Sequence, residues 1–343
     1  MISVRVAFFT QGTRVPASRF RVDQLIPALQ QHVDCTVHPA TPSVYGDYKG
    51  FSGGWRALAK PFSIASRLKQ LRELPDADVV WMQRPLTEYF TTALERLVTW
   101  RKPAVFDFDD AIFHNRWGLE ARKLRTIIDR VDRVVAGNSY LAEFVDLPDK
   151  TTIIPTVVDE TRYSPRADPD GPFTIVWTGM SHNLRELAPY MPALRRVLAE
   201  TGGRFVVVAD RLDRTHLGDV PVDFVQWSPD SEVAALAAGH AGVMPLADTP
   251  YNRGKCAFKL IQYMARGIPV VASPVGANRE VVRDGIEGFY AVTVDDWATG
   301  LLSLARDRDM RVRMGNAGRT RVEDHYSVTA VVPQYLEVLR AIA

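Results

Sequence analysis

Short, continuous apolar runs recur along the 343 residues, separated by longer stretches in which apolar residues return every three or four positions. The runs of the first half are Val4–Thr10, Cys35–Ala40, Asp78–Arg84, Ala104–Asp109, Val131–Gly137 and Thr152–Pro155. Those of the second half are Phe173–Gly179, Phe205–Asp210, Val222–Trp227, Ala241–Leu246, Ile268–Pro274 and Gly288–Val294. Rich in Val, Ile and Phe and mostly without polar alternation, they read as parallel strands covered on both faces. Between them, Ser18–Gln31 places Phe20, Leu25, Ile26 and Leu29 at helical spacing, and Leu187–Leu198 does so with Leu187, Met191, Leu194 and Leu198. Strands alternating with helices predict βαβ units and an α/β fold of doubly wound parallel sheets.

The pattern runs down and starts again across Thr161–Pro172, where Pro165, Pro169, Gly171 and Pro172 interrupt a stretch with almost no aliphatic residue. That is the composition of a linker. It implies two Rossmann-like domains facing a cleft, 1–165 and 166–325, and an amphipathic helix at 326–343 that can pack back on the N-terminal domain. Ligands of open α/β sheets bind beyond the carboxyl ends of the strands, so function is expected in the loops that follow each run.

Charge and composition narrow the picture modestly. Forty-two Lys and Arg against 40 Asp and Glu leave +2, too little for a general polyanion binder, and no nucleic-acid partner is expected. Two cysteines, Cys35 and Cys256, cannot build a disulfide framework or a cysteine metal cage, and they suit a reducing compartment. No apolar stretch approaches the roughly 18 to 20 residues of a membrane span. Met1–Thr10 carries Arg5 within its apolar run and reads as a strand, not a secretion signal, so a cytoplasmic location is expected.

Several motifs are missing. No Gly-x-Gly-x-x-Gly follows a strand, which removes the main dinucleotide signature. Gly254-Lys255 lacks the upstream glycine of a phosphate loop, and Cys256 stands where that loop needs a hydroxyl. The histidines are scattered, and no Gly-x-Ser-x-Gly elbow exists.

The informative stretch is Met244–Gly288. A strand ending at Leu246 delivers a polar loop, Ala247–Gly254; a helix, Cys256–Ala265, is expected next; and the strand Val270–Ser273 leads through Gly276 into a helix near Arg279. In that reading Lys255, Lys259 and Gln262 share one helix face at i, i+4 and i+7. Lysines at a helix start oppose the dipole unless something negative is bound there, and such local conflicts mark functional sites. A nucleotide diphosphate attached to a sugar fits the set, with phosphates on the lysines and hydroxyls on Gln262 and Glu280. The plain alternative is a solvated lysine face with Gln262 as polar surface.

Two lines of sequence carry a family resemblance. They are Phe258-Lys259-Leu260-Ile261-Gln262-Tyr263-Met264-Ala265-x-Gly267-x-Pro269-Val270-Val271-Ala272 and Gly276-x-x-x-Glu280-x-x-x-Asp284-Gly285-x-x-Gly288. Trp177-Thr178-Gly179, Met244-Pro245-Leu246 and Ala17-Ser18-Arg19-Phe20-Arg21 support them. The chain resembles glycosyltransferase family 4 (glycosyl transferases group 1), retaining enzymes of the GT-B fold. The family's two glutamates, with seven residues between them, fall on Gly254 and Gln262, so this chain resembles a branch lacking both. The resemblance implies sugar transfer with retention from a nucleotide-diphosphate sugar to a saccharide or lipid-linked acceptor, in cell-surface polysaccharide or glycolipid synthesis. It implies no cofactor and no metal for the chemistry. On this reading Gly179, Lys255, Lys259, Gln262, Gly276 and Glu280 bind the donor, and Lys255 and Lys259 stabilise the departing diphosphate. A GT-B sugar-nucleotide epimerase and a non-catalytic sugar-nucleotide sensor remain as alternatives.

Other candidates stand beside plainer readings. Asp107, Asp109 and Asp110 crowd one strand end; Asp109 is a candidate for catalysis and acceptor binding, with helix capping as the alternative. Arg19 and Arg21 are acceptor candidates for an anionic group, or simply surface arginines. The segment 49–72 carries Lys49, Arg56, Lys60, Arg67, Lys69 and Arg72, interleaved with Phe51, Trp55 and Phe62 and without an acid. That composition fits peripheral contact with the inner face of the cell membrane, or a helix packed on a sheet. Trp177, Tyr251 and Trp227 are candidates for stacking on a base, with the core as the alternative. Asn138 reads as a helix cap, and Cys256, beside Lys255, as a somewhat acidic thiol.

Overall fold

The structure, a computed structural model, describes residues 4–13, 15–41, 53–87, 91–114 and 118–343, and for 53–61 the backbone only. The described strands are β1 (Arg5–Thr10), β2 (Asp34–Pro39), β3 (Val79–Gln83), β4 (Ala104–Phe108), β5 (Arg133–Ala136) and β6 (Thr151–Ile153) in the first half. In the second they are β7 (Thr174–Thr178), β8 (Arg204–Ala209), β9 (Asp223–Gln226), β10 (Ala241–Met244), β11 (Val270–Ala272) and β12 (Gly288–Tyr290). They form two six-stranded sheets, ordered β2-β1-β3-β4-β5-β6 and β12-β11-β10-β7-β8-β9, with every described pairing parallel.

The inner strands of each sheet are buried on both sides, which is why they read as unbroken apolar runs, while the edge strands β6 and β9 are partly exposed. In the first, Phe8, Trp81, Val105 and Val135 face Leu25, Leu29 and Leu336. Phe9, Met82, Phe106 and Phe108 face Val98, Leu124, Ile127 and Leu141 on the other side. In the second, Ile175, Val207 and Val243 pack with Leu194, Val197, Trp297 and Leu301. Val176, Val206 and Val208 pack on the far face with Leu260, Ile261, Tyr263 and Met264. Fully burying one such aliphatic or aromatic side chain contributes about 1.5–3 kcal/mol, so both faces of both sheets are strongly specified.

The chain divides into two compact units. One comprises Met1–Val157, Gly254–Cys256 and Val328–Ala343; the other comprises Val158–Arg253 and Ala257–Ser327. The C-terminal helix Val328–Arg340 therefore belongs with the first unit, where Tyr335 stacks on Trp81 at 4.7 Å between ring centroids. The division falls earlier than the Pro-rich stretch, and residues 161–172 are not a bare connector. Tyr163 is buried in the core of the second unit and donates its hydroxyl to Glu232 at 3.0 Å.

One predicted helix departs from regularity. Instead of a single helix over Ser18–Gln31, there are α-helical turns at Pro16–Ser18 and Ile26–Leu29 flanking a π-helical turn, Arg19–Asp23. Pro27 has no N–H to donate back to Asp23, so the hydrogen-bond ladder cannot run through. The wider π turn presents Arg21 to the core.

Candidate functional site

In the second unit the strand order reverses between β7 and β10, and the loops leaving their carboxyl ends are Gly179–Glu186 and Pro245–Arg253. A topological switch point of this kind is where open α/β sheets hold ligands. The Glu186 carboxylate joins the two loops, accepting from the Ala247 N–H at 3.0 Å and the Asn252 amide at 3.4 Å. The β10 loop is tied in turn to the β11 loop, because the Leu246 N–H donates to Ser273 Oγ at 3.1 Å and Asn278 Nδ2 donates to the Ser273 carbonyl at 2.8 Å.

Lys259 reaches this point. It is the second residue of the helix Phe258–Ala265, and its stem lies so close to Gly179 that a Cβ there would stand 2.8 Å from Lys259 Cε. With φ +156 as well, residue 179 has to be glycine. The Lys259 ammonium sits 5.4 Å from the centroid of the Trp177 ring, within cation–π range. Trp177 is itself buried (2%), so it supports the lysine from below and is not exposed to stack on a base. The helix is anchored by Tyr263, whose buried hydroxyl accepts from the Thr178 N–H at 3.0 Å, one residue before Gly179. Burial pushes that phenol well above its ordinary pKa, so it stays protonated.

The expected i, i+4, i+7 stripe is not formed. The helix begins at Phe258, after Ala257 turns in the left-handed region at φ +52. Lys255 lies outside it, in the Gly254–Cys256 segment that groups with the first unit. Gln262 is on the helix but buried (2%), and its amide donates to the Tyr163 hydroxyl at 2.9 Å. The Gln262–Tyr163–Glu232 chain is internal polar packing, and the expectation that Gln262 meets sugar hydroxyls at the surface is replaced by it.

Gly276 follows β11 at φ +51, and a Cβ there would stand 2.3 Å from the Arg253 carbonyl oxygen, so the glycine lets two backbones touch. Glu280 is half-buried in the short helix Asn278–Val281. The Glu280 carbonyl accepts from Arg321 Nη2 at 2.6 Å and from the Tyr326 hydroxyl at 3.1 Å, which fixes that turn. Trp227 is partly buried against the core, while Tyr251 is exposed.

In the first unit the carboxylates crowding the end of β4 are each matched to an arginine. Arg21, with no exposed side-chain surface, pairs with Asp107 at 2.6 Å and donates from Nη1 to the Ile154 carbonyl at 3.1 Å and to Thr156 Oγ1 at 3.2 Å. Burial opposes the charge on Arg21, but Asp107, with Tyr335 and Asp109 beside it, outweighs that and holds the guanidinium above its ordinary pKa. Arg21 is therefore a core ion pair and not an acceptor-binding arginine. Arg19 is half-buried, with its guanidinium 4.9 Å from the Phe20 ring centroid.

Asp109 accepts from Arg84 Nε at 2.9 Å and Nη2 at 2.7 Å. Arg84 holds this position from φ +64, a strained conformation for a non-glycine residue and of the kind that gathers at functional sites. No spacing in the sequence pointed to it. Asn138 caps the helix Ser139–Val145 by accepting from the Leu141 N–H at 2.9 Å, and its amide also donates to the Gly254 carbonyl at 3.1 Å. Cys256 Sγ lies 3.0 Å from the Asp109 carbonyl, and burial, with Asp109 adding to it, pushes the thiol up. It is not an acidic thiol.

Of the 49–72 segment, Lys49 and Phe51 lie outside the described residues, as do the side chains of Trp55, Arg56 and Lys60. Arg67, counted there as part of a basic face, is internal and donates from Nη1 to the His38 carbonyl at 2.7 Å. Among the described residues no group of three or more His, Cys, Asp or Glu is placed to hold a metal ion, and no helix is long and apolar enough to cross a membrane.

The fold has known counterparts. Residues 172–307, most of the second unit, match the family model described as Glycosyl transferases group 1. The whole fold is GT-B. The chain is similar to HepE of Anabaena solved with UDP, at 15% identity over 99% of this chain and 100% of that one, with a TM-score of 0.72. HepE was also solved with UDP-glucose, and that structure matches at 14% identity over 98% of this chain and 100% of that one, with a TM-score of 0.72. Sucrose-phosphate synthase from Thermosynechococcus elongatus matches at 16% identity over 98% of both chains, with a TM-score of 0.73. No curated protein matches the chain in sequence.

Proposed function

We propose that the protein is a retaining hexosyltransferase that moves a sugar from a nucleotide-diphosphate donor to a saccharide or lipid-linked acceptor, in the synthesis of cell-surface polysaccharide or glycolipid. The observation that carries this reading is Lys259, seated against Gly179 at the carboxyl end of β7. In the reaction the bond from the anomeric carbon to the β-phosphate oxygen breaks, the acceptor hydroxyl oxygen bonds to that carbon on the same face, and the hydroxyl proton passes to the departing phosphate oxygen. Negative charge builds on the nucleoside diphosphate as it departs, ahead of that proton. A positioned ammonium that meets this charge lowers the barrier because it gains more in the transition state than in the ground state.

The family match over 172–307 and the UDP and UDP-glucose bound by HepE support a nucleotide-sugar donor. Glu280, on its fixed turn, is assigned to orient the sugar, and Gly276 to let the β11 loop come close. We assign no metal to the chemistry, since the carboxylates at the end of β4 are taken by Arg21 and Arg84. A cytoplasmic protein touching the membrane's inner face fits the helix Gly53–Gln70, which exposes Phe62 (71%) and Leu68 (48%).

The test is turnover with a panel of UDP- and GDP-sugars, following nucleoside diphosphate release and the anomeric configuration of the product by NMR. One donor should support turnover with retention, and Lys259→Ala should lower kcat by about a hundredfold, the scale for losing one preorganised charge-stabilising group. Turnover by Lys259→Ala at the wild-type rate would remove the proposal's foundation.

A further inference from the structure

A cavity of about 500 Å³ opens on the second unit between Arg162, Pro229, Asp230, Val233, Ala234 and Arg266. Nothing in the proposed transfer reaction uses it. Arg266 follows the last residue of the helix Phe258–Ala265, and Lys259 stands at that helix's start. Seven residues of helix separate the two by about 10 Å along the axis, so one phosphate group cannot serve both.

The electrostatics of the cavity wall are unbalanced. Arg266 is nine-tenths buried, and its Nη1 donates to the Ser164 carbonyl, but its Nε is buried without a partner. Among the described residues it forms no ion pair. Its charged neighbour is another cation, Arg319, whose own carboxylate is Glu323 at 2.6 Å. Across the cavity, Arg162 donates to the Pro229 carbonyl at 2.7 Å. Its guanidinium is 3.7 Å from Asp230, whose side chain is fully exposed, and its backbone N–H donates to Asp159 Oδ1 at 3.2 Å. Arg166 has a buried, unpartnered Nε too; burial lowers it to about 10, Asp168 opposes that, and Arg266 adds to it.

Guanidinium groups do not shed their protons to relieve such crowding. A buried cation without a counter-charge costs several kcal/mol, and the natural relief is a bound anion. Phosphate matches the guanidinium fork in geometry and charge. The cavity exceeds what a bare phosphate fills and falls within the range of small-molecule sites, and Pro229, Val233 and Ala234 offer an apolar wall for a carbon body.

We propose that this cavity is a second ligand site that takes a phosphate monoester, gripped by Arg162 and Arg266. The reading does not depend on the glycosyltransferase assignment.

Calorimetric titration of the full chain with inorganic phosphate and with glycerol 3-phosphate tests it. Both should bind, the ester more tightly. Arg162→Gln should weaken each by about tenfold, as expected for losing one charge-assisted partner, and Lys259→Ala should change neither. Arg266→Met should abolish binding while melting no lower than wild type in phosphate-free buffer, because it replaces an unpaired buried cation with an apolar chain. Should Arg266→Met fail to fold, Arg162→Gln decides alone, since Arg162 lies on the open side of the cavity. Absence of binding by either compound, binding untouched by Arg162→Gln, or binding lost in Lys259→Ala would each overturn the site. Phosphate binding as tightly as the ester would overturn the monoester assignment. A loss of nucleotide-sugar turnover in Lys259→Ala with phosphate binding intact would separate the two sites.

Discussion

Replacing Arg21 by methionine separates a core role from a ligand-binding one. Arg21 and Asp107 are both without exposed side-chain surface and lie 2.6 Å apart. The change keeps the apolar stem but strips Asp107 Oδ1 of its cation, leaving Trp81 Nε1, at 3.2 Å, as the remaining side-chain donor to that carboxylate. It also leaves the Ile154 carbonyl and Thr156 Oγ1 without the guanidinium. Breaking a buried pair from one side costs about 3–5 kcal/mol, because an uncompensated charge stays inside. For a unit of this size each kcal/mol moves the melting point by about 2–4 °C, so the first unit should melt roughly 6–20 °C lower. The double variant Arg21→Met, Asp107→Leu removes both charges and should recover most of the loss. Differential scanning calorimetry of the three proteins gives the answer. A single variant within about 0.5 kcal/mol of wild type, the usual range for a surface substitution, would refute the core reading.

Other consequences follow from the same geometry. Tyr263→Phe leaves the buried Thr178 N–H without its acceptor, so the urea midpoint of the second unit should fall by the equivalent of about 1–3 kcal/mol; an unchanged midpoint would contradict the anchoring role. Burial raises the Asp23 carboxyl to about 6, with Arg19 opposing. The folded state therefore holds that proton more tightly than the unfolded chain, and stability should fall as pH rises from about 4 to 6. Asp23→Asn should flatten that part of a pH–melting curve, and an identical curve would show the carboxyl unperturbed. The Cys256 thiol, buried and pushed up, should resist iodoacetamide at pH 8 in the native protein and react on unfolding, as mass spectrometry would show; rapid native labelling would contradict this.

The two sheets were legible because strands buried on both faces leave continuous apolar runs, and each predicted run overlaps a strand. Their lateral order was not, since periodicity carries no information about neighbours. Glu186 drew no notice for that reason: its bond to the Ala247 N–H exists only because β10 lies beside β7. Lys259 was legible through its conflict with the helix dipole. Lys255 was misplaced because the helix begins at Phe258, after a left-handed Ala257 that no residue preference announces. Arg21 and Gln262 looked like surface side chains by type. Each is buried because a partner far along the chain, Asp107 or Tyr163, meets it in the interior.

The central claim is that Lys259 carries the phosphate charge of the donor. A crystal structure with UDP bound measures this directly. A diphosphate oxygen should stand about 3 Å from Lys259 Nζ, at the end of β7 beside Gly179. A diphosphate bound elsewhere, with the lysine still resting on Trp177, would contradict the account.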